Sequence, residues 1–374
     1  MHLCARIVLA RIVLAFVLAA PAASAQASFK NFRDWIASCD NLRNCSAFAL
    51  NSDSDDAAAY MRIDRGGAAD APVIVTLSVE LRDAKGYTVA FDDPALPGLP
   101  TGTLVGEEGE ANDYRRIEIA KGPAADALID SIRKAKAIVV TRQVPEGKKS
   151  DDAVSRISMS GAAASLLWID DQQKRLDTVT ALVRRGDKPA SAVPPQPKAP
   201  VVVAAKPSKA KSSKSKAPAK HPPALLAKGR KLCDEDENDE NSQIEEVNPL
   251  GGGQFLYQFT CPDSSGAYNF MNVFLIGPAG NVSALRPATF PRPRGSDKGD
   301  SERPASGLMN PVFDPETMTL TSFNKGRGYG DCGVEEQWVW NGKDFQLALE
   351  RAMGECKRIP LDDWPVTWRA EVKR

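Results

Sequence analysis

Residues 337–349, QWVWNGKDFQLAL, predict the central β-hairpin of the C-terminal half of the chain. Large apolar side chains recur at every second position on both sides of Asn341-Gly342, which is typical of strands that bury one face. Asn-Gly accepts the positive φ that a type I′ hairpin turn requires. Further alternating runs predict strands over 255–259, 271–276 and 317–323, so this half is predicted to be mainly antiparallel β.

The N-terminal half is predicted to be α+β. Apolar periodicity predicts one helix over 124–135 and a longer one that Ser160 caps and that continues through Arg185, with Gly186 as the residue after its end. Alternating apolar runs predict strands over 47–50, 60–63, 73–81, 116–119, 137–141 and 155–159.

A disordered linker is predicted between the two halves. Residues 188–227 are mostly Lys, Pro, Ala, Ser and Val, and ten Lys, one Arg and no acidic residue lie between Lys188 and Lys231. Such a composition cannot bury enough apolar surface to offset the entropy lost on ordering. We therefore expect an N-terminal α+β domain over 26–187, the linker over 188–227 and a C-terminal β-rich domain over 228–374.

The first 25 residues predict a secretory signal peptide. Arg6 supplies the positive charge, residues 12–20 form a short apolar core, and Ala23-Ser24-Ala25 is a small-residue cleavage site. We expect a periplasmic or secreted protein that does not span the membrane after cleavage. Export argues against nucleic acid as a partner, and an unknown envelope protein or an anionic envelope polymer is expected instead.

Six cysteines follow the signal peptide, and an even number in an exported chain predicts disulfides. Proximity in the sequence favours the pairs Cys39–Cys45, Cys233–Cys261 and Cys332–Cys356. Zinc binding is the alternative, but the spacings lack Cys-x-x-Cys and neither histidine falls in a predicted domain. Disulfides are therefore the preferred interpretation.

Catalysis by histidine is not expected in either predicted domain, because His2 lies in the signal peptide and His221 in the linker. A Ser-His-Asp or Cys-His site is thereby excluded from both domains, and no catalytic residue, cofactor or metal site is predicted. Adjacent carboxylates at Asp92-Asp93, Asp170-Asp171 and Asp362-Asp363 leave open a carboxylate-dependent enzyme. Adjacent residues of a strand point to opposite faces, so adjacency alone does not indicate a shared site.

Two loops are candidate binding elements. Residues 325–333, KGRGYGDCG, predict a possible anion-binding loop at Lys325, Arg327 and Tyr329 because several backbone donors lie beside two cations. The acidic run 234–246 resembles part of a calcium loop, but Asp239 stands where the sharp turn needs glycine. A solvated acidic loop is the preferred interpretation of that run.

Two sets of segments resemble a known family. The first set is residues 34–45, DWIASCDNLRNC, with 157–186, and the second is residues 313–333 and 336–347 with Glu355-Cys356 and 362–370. Together they are similar to the bacterial exported family called domain of unknown function 1176, over most of the mature chain outside the linker. The N-terminal part is also similar to the invasion-associated locus B family. Both resemblances imply a Gram-negative envelope setting, and neither supplies a catalytic residue.

The sequence therefore predicts an exported, non-enzymatic binding or adaptor protein, in which the linker lets each domain hold a different partner. A carboxylate-dependent enzyme acting on a glycan or peptide, and an inhibitor of a hydrolase, are the alternatives.

Overall fold

The computed structural model describes residues 28–50, 59–80, 86–108, 114–143, 154–207, 213–214, 222–233, 244–292 and 305–374. The predicted signal peptide, both histidines and most of the acidic run lie outside the described residues. Within these ranges the chain is built mainly from antiparallel sheets with three helices.

The N-terminal half contains ten strands and two helices. They are β1 (Ser28–Phe32), β2 (Trp35–Cys39), β3 (Cys45–Ala49), β4 (Ala59–Arg65), β5 (Val73–Glu80), β6 (Gly86–Phe91), β7 (Glu107–Glu108), β8 (Tyr114–Lys121), α1 (Pro123–Ile132), β9 (Ala137–Gln143), β10 (Val154–Ser158) and α2 (Ala162–Gln172). The larger sheet has the order β1-β2-β3-β4-β5-β8-β7, and the smaller sheet has the order β10-β9-β6. The predicted strands and the first helix are present with small differences at their ends.

Both helices of this half pack with both sheets around one apolar core. Trp35 and Met61 of the large sheet, Leu128 of α1, Val140 of β9 and Leu166 of α2 are all buried in this cluster. Alternate residues of β4 and β5 face it, as expected for strands with one buried side.

The second predicted helix ends early, which corrects the prediction of one helix through Arg185. It stops at Gln172, and Lys174 and Asp177 then adopt positive φ angles of 58° and 64°. The carboxylate of Asp170 accepts the N–H groups of Leu182 and Val183 at 2.7 and 2.8 Å, so the chain folds back on the helix. Burial nevertheless holds the pKa of Asp170 above its ordinary value. Gly161, not Ser160, occupies the N-cap.

The described part of the remaining chain contains thirteen strands and one α-helix. They are β11 (Val201–Val203), β12 (Ser213–Lys214), α3 (Pro223–Cys233), β13 (Ile244–Gly251), β14 (Gln254–Cys261), β15 (Met271–Pro278), β16 (Arg286–Pro287), β17 (Gly307–Met309), β18 (Val312–Asp314), β19 (Thr319–Lys325), β20 (Gly333–Trp340), β21 (Phe345–Met353), β22 (Val366–Arg369) and β23 (Glu371–Lys373). One sheet has the order β12-β13-β14-β15-β16 with β17 beside β15, and another has the order β18-β19-β20-β21-β22.

The predicted hairpin is present as β20 and β21, but its turn differs from type I′. Only Gly342 takes a positive φ, of 97°. Asn341 instead accepts the N–H groups of Lys343 and Asp344 through its Oδ1 at 2.9 and 2.8 Å. The turn is thus closed by hydrogen bonds to the Asn341 side chain, whereas the expected type I′ turn depends on a positive backbone φ at Asn341.

Aromatic rings fill the core between the two C-terminal sheets. Phe290 lies at its centre, with ring centroids 5.6 Å from Phe274 and 5.4 Å from Trp338. Trp338 and Trp340 are fully buried in this cluster, so their large apolar surfaces stabilise the fold.

The predicted linker differs most from the structure. Residues 188–207 are described in full, and residues 223–227 already belong to α3, which begins at Pro223. β11 pairs in parallel with β23, and Val202 is 4% exposed against Val339 and Ala348. This part carries few lysines and a Val-Val-Val run, so it has apolar side chains to bury. The lysine-rich remainder, 208–221, lies almost wholly outside the described residues.

A buried apolar cluster also joins the two halves directly. Ile36, Phe48 and Tyr60 of the large N-terminal sheet pack with Met353 and Trp364 of the C-terminal half. We call this contact the internal interface. The predicted segment 188–227 is therefore not the only connection between the halves.

The structure contains three disulfides, Cys39–Cys45, Cys233–Cys261 and Cys332–Cys356, which are the pairs that sequence proximity favoured. No helix among the described residues is both long and apolar enough to cross a membrane.

Candidate functional site

The predicted anion-binding loop connects β19 to β20 at one end of the five-stranded sheet. Gly333 has a φ of 132°, and a Cβ there would stand 2.0 Å from the carbonyl oxygen of Asn324. Only glycine fits such a close approach. The Cys332–Cys356 disulfide then ties the loop to the segment that carries Arg358.

Arg327 is held in a fixed position by a carboxylate. Its Nε and Nη2 donate to the two carboxylate oxygens of Asp331 at 2.8 and 2.6 Å, and Nη2 also donates to the Cys356 carbonyl. Burial alone would raise the pKa of Asp331, but these bonds and one from the Arg358 N–H hold that pKa below its ordinary value. Arg327 therefore positions the loop, and its charge is already compensated.

Tyr329 projects from this loop with 75% of its surface exposed. The guanidinium carbons of Arg327 and Arg358 lie 5.4 and 5.2 Å from the centre of its ring. Cations at these distances attract the ring through its quadrupole and limit its rotation. A large aromatic side chain thus stands in solvent with two guanidinium groups against its ring.

A second loop places two more aromatic rings beside the first. Tyr268 is 38% exposed and Phe270 is 51% exposed. Between them, the Asn269 amide donates to the Lys325 carbonyl at 2.8 Å and accepts the Lys325 N–H at 3.0 Å. A Cβ on Gly328 would lie 3.6 Å from the Tyr268 ring, so the two loops touch.

These five side chains, Tyr268, Phe270, Arg327, Tyr329 and Arg358, are called here the aromatic–guanidinium surface. Lys325 lies beside them with its Nζ 5.7 Å from the Phe323 ring. Arg358 and Lys325 add two further cationic side chains to this surface. Exposed rings with adjacent cations suit a partner that offers flat faces and negative charges.

Sequence reasoning identified Lys325, Arg327 and Tyr329 but missed Tyr268, Phe270 and Arg358. The run Gly266-Ala-Tyr-Asn-Phe places two aromatic residues in a turn just before a buried strand, and that pattern could have been noticed. Arg358 carries no local signal, because the fold brings it to Tyr329 from another loop.

The three pairs of adjacent carboxylates lie in different parts of the fold. One member of each pair makes contacts that stabilise the fold. Asp92 accepts two backbone N–H groups at the start of β9, and Asp170 accepts two beyond α2. Asp363 is buried at the internal interface, 2.8 Å from the Nε of Arg116. Over the described ranges, no three His, Cys, Asp or Glu side chains are grouped as a metal site would need.

Comparison with known proteins identifies a family but no activity. The family model described as "Protein of unknown function (DUF1176)" matches residues 29–371. A relative named "Uncharacterized protein YpfG", from Escherichia coli (strain K12), is 27% identical over 366 residues, which cover 94% of this chain and 94% of the relative. No solved structure matches the chain. The resemblance to the invasion-associated locus B family stays a prediction.

Proposed function

The chain belongs to the DUF1176 family, whose name assigns no activity, and on that premise we propose that it is an exported, non-enzymatic binding protein of the bacterial envelope. Its aromatic–guanidinium surface holds an anionic envelope polymer. The observation that carries the proposal is Tyr329, an exposed ring between two guanidinium groups.

The rigidity of this surface favours binding. Exposed aromatic rings are normally free to change rotamer, and ordering them costs entropy when a partner binds. Here the Cys332–Cys356 disulfide, the Arg327–Asp331 pair and the Asn269 amide hold the two loops before any partner arrives. Less entropy is then lost in the complex.

Export is supported by the three disulfides, since such bonds persist in oxidising compartments. The signal peptide over 1–25 and the periplasmic or secreted location remain part of the proposal. The alternatives, a carboxylate-dependent enzyme and a hydrolase inhibitor, stay predictions.

Sedimentation of the mature chain with isolated cell wall tests the proposal. We expect the wild type to co-sediment and the Tyr329→Ala variant to bind about fivefold more weakly, as expected for the loss of one stacked ring. Binding should also weaken as salt rises, because the Debye length falls to about 10 Å at 0.1 M salt.

The control is Val179→Ala, which shortens an exposed apolar side chain of the N-terminal half. It should sediment like the wild type. Equal sedimentation of Tyr329→Ala, Arg358→Gln and wild type would contradict the assignment of the surface, and no sedimentation of any form would contradict the proposed partner.

A further inference from the structure

A second, smaller site lies where the two halves meet, in a cleft of about 140 Å³. Its walls come from the starts of β3 and β5, the end of β4 and, across the internal interface, from β22. We call it the interface cleft. A cavity of about 150 Å³ accommodates benzene, so the cleft is sized for a ligand of roughly six non-hydrogen atoms.

One wall of the interface cleft is charged but internally balanced. The Nε of Arg62 donates to Asp64 at 2.9 Å, and the Oγ of Ser46 donates to the same carboxylate. The Nη2 of Arg62 has only a long contact of 3.4 Å with Ser46. Arg65 also borders the cleft, but strand alternation directs its side chain to the other face of β4.

Arg369 reaches the interface cleft from the opposite half and is held in place by three bonds. Asn41 brackets its backbone, accepting the N–H at 2.9 Å and donating to the carbonyl at 3.0 Å. The Nε of Arg369 donates to the buried carboxylate of Asp40 at 2.6 Å. Neither Nη atom of Arg369 has a partner among the described residues.

The carboxylate of Asp40 is already fully used. It accepts the backbone N–H groups of Leu42 and Asn44 and the Asn44 side-chain amide, at 2.8 to 2.9 Å. Asp40 therefore fixes Arg369 without occupying its outer donors. The Nη donors of Arg369, whose side chain is 42% exposed, thus stay available to an acceptor that enters the interface cleft.

Pro72, Ile74 and Val366 give the interface cleft an apolar part of its lining. A ligand with one charged end and one apolar end would satisfy both walls. We propose that the interface cleft binds a small organic carboxylate, whose oxygens pair with the Nη atoms of Arg369 while its short apolar part contacts Ile74 and Val366. The planar guanidinium fork matches a carboxylate in two parallel bonds.

Calorimetric titration of the mature chain with butyrate, butyramide and inorganic phosphate tests the proposal. Butyrate should bind about tenfold or more tightly than butyramide, because a charge-assisted pair with Arg369 is lost in the neutral amide. Inorganic phosphate has charge but no apolar part, so it should bind more weakly than butyrate.

Two variants and one control complete the test. Arg369→Gln should abolish the preference for butyrate over butyramide, and Arg369→Lys, which keeps a cation beside Asp40 and so protects the fold, should reduce it. Arg184→Gln removes an exposed guanidinium paired with Asp177 and should bind like the wild type.

Equal affinity for butyrate and butyramide in the wild type, or an unchanged preference in Arg369→Lys, would overturn the proposal. Phosphate binding as tight as that of butyrate would overturn the organic class of the ligand. Since the Arg369 variants leave the aromatic–guanidinium surface unchanged, failure here leaves the proposed polymer binding intact.

Discussion

At the scale of single residues, Asp363 shows how a buried charge is distributed across the internal interface. It lies 2.8 Å from the Nε of Arg116 and 3.7 Å from the Nη1 of Arg62, and it accepts the Tyr60 hydroxyl. All three partners belong to the N-terminal half, whereas Asp363 belongs to the C-terminal half. One carboxylate thus connects the two halves electrostatically.

Replacing Asp363 by Asn should destabilise the protein by about 3 kcal/mol, because removing one member of a buried ion pair leaves its partners uncompensated. Asp362→Asn is the matched control, since it changes the adjacent carboxylate outside this cluster, and it should shift stability by less than about 0.5 kcal/mol. Denaturant unfolding of both variants measures the difference, and equal stabilities would contradict the role of Asp363.

Tyr60 gives the cluster a pH dependence. Burial, and then the charge of Asp363, hold the pKa of Tyr60 well above its ordinary value. The folded state therefore keeps the phenol neutral where the unfolded chain would ionise it. The stability from this group is complete below the ordinary tyrosine pKa and is lost as pH rises above it.

We expect the free energy of unfolding of the wild type to fall more steeply above pH ~10 than that of Tyr60→Phe. Tyr257, whose pKa burial also raises, contributes to both proteins alike. Urea unfolding at a series of alkaline pH values gives the two slopes, and parallel slopes would show that Tyr60 does not carry the effect.

At the scale of elements, the segment 188–207 is held to the folded chain by both backbone and side chains. The Ala204 N–H donates to Lys373 and the Ala205 N–H donates to Trp340, both at 2.8 Å. Earlier in the segment, the side-chain amide of Gln196 donates to the Oδ1 of Asn44, in the N-terminal half, at 2.9 Å. A few apolar residues in extended conformation therefore order this segment, although its composition is of low complexity.

Val202→Asp should detach this segment, because it places a charge at a position that is 4% exposed, at a cost of about 3 kcal/mol. Val203→Asp is the control, since Val203, the next residue of β11, is 60% exposed. Hydrogen exchange over 188–207 should accelerate in Val202→Asp only. Rapid exchange of this segment already in the wild type would favour the disordered linker predicted from composition.

At the scale of the whole molecule, the halves share a buried apolar cluster, an ion-pair cluster and the interface cleft. Interfaces between independent domains are usually more polar and permit relative motion. The apolar part of this one makes separate unfolding of the halves unfavourable. The internal interface thus favours a single body over two freely moving domains.

The mature chain should accordingly unfold in one calorimetric transition, with the van't Hoff enthalpy close to the calorimetric value. Asp363→Asn, which weakens the internal interface, should broaden or split that transition. Two well-separated transitions in the wild type would mean that the halves unfold independently.

Local patterns in the sequence were enough for the strands with clear alternation, the hairpin at Asn341-Gly342 and the choice of disulfide partners, because alternation, turn residues and short cysteine spacings act over a few positions. They missed other strands, among them β2, β6 and β13. They also identified Tyr329 and Arg327, which belong to one loop. Arg358 beside Tyr329, Asp40 and Asn41 beside Arg369, and the order of residues 188–207 depend on contacts between distant parts of the chain. Only tertiary packing decides such contacts, since their free energy comes from burial and charge pairing that no local window of sequence contains.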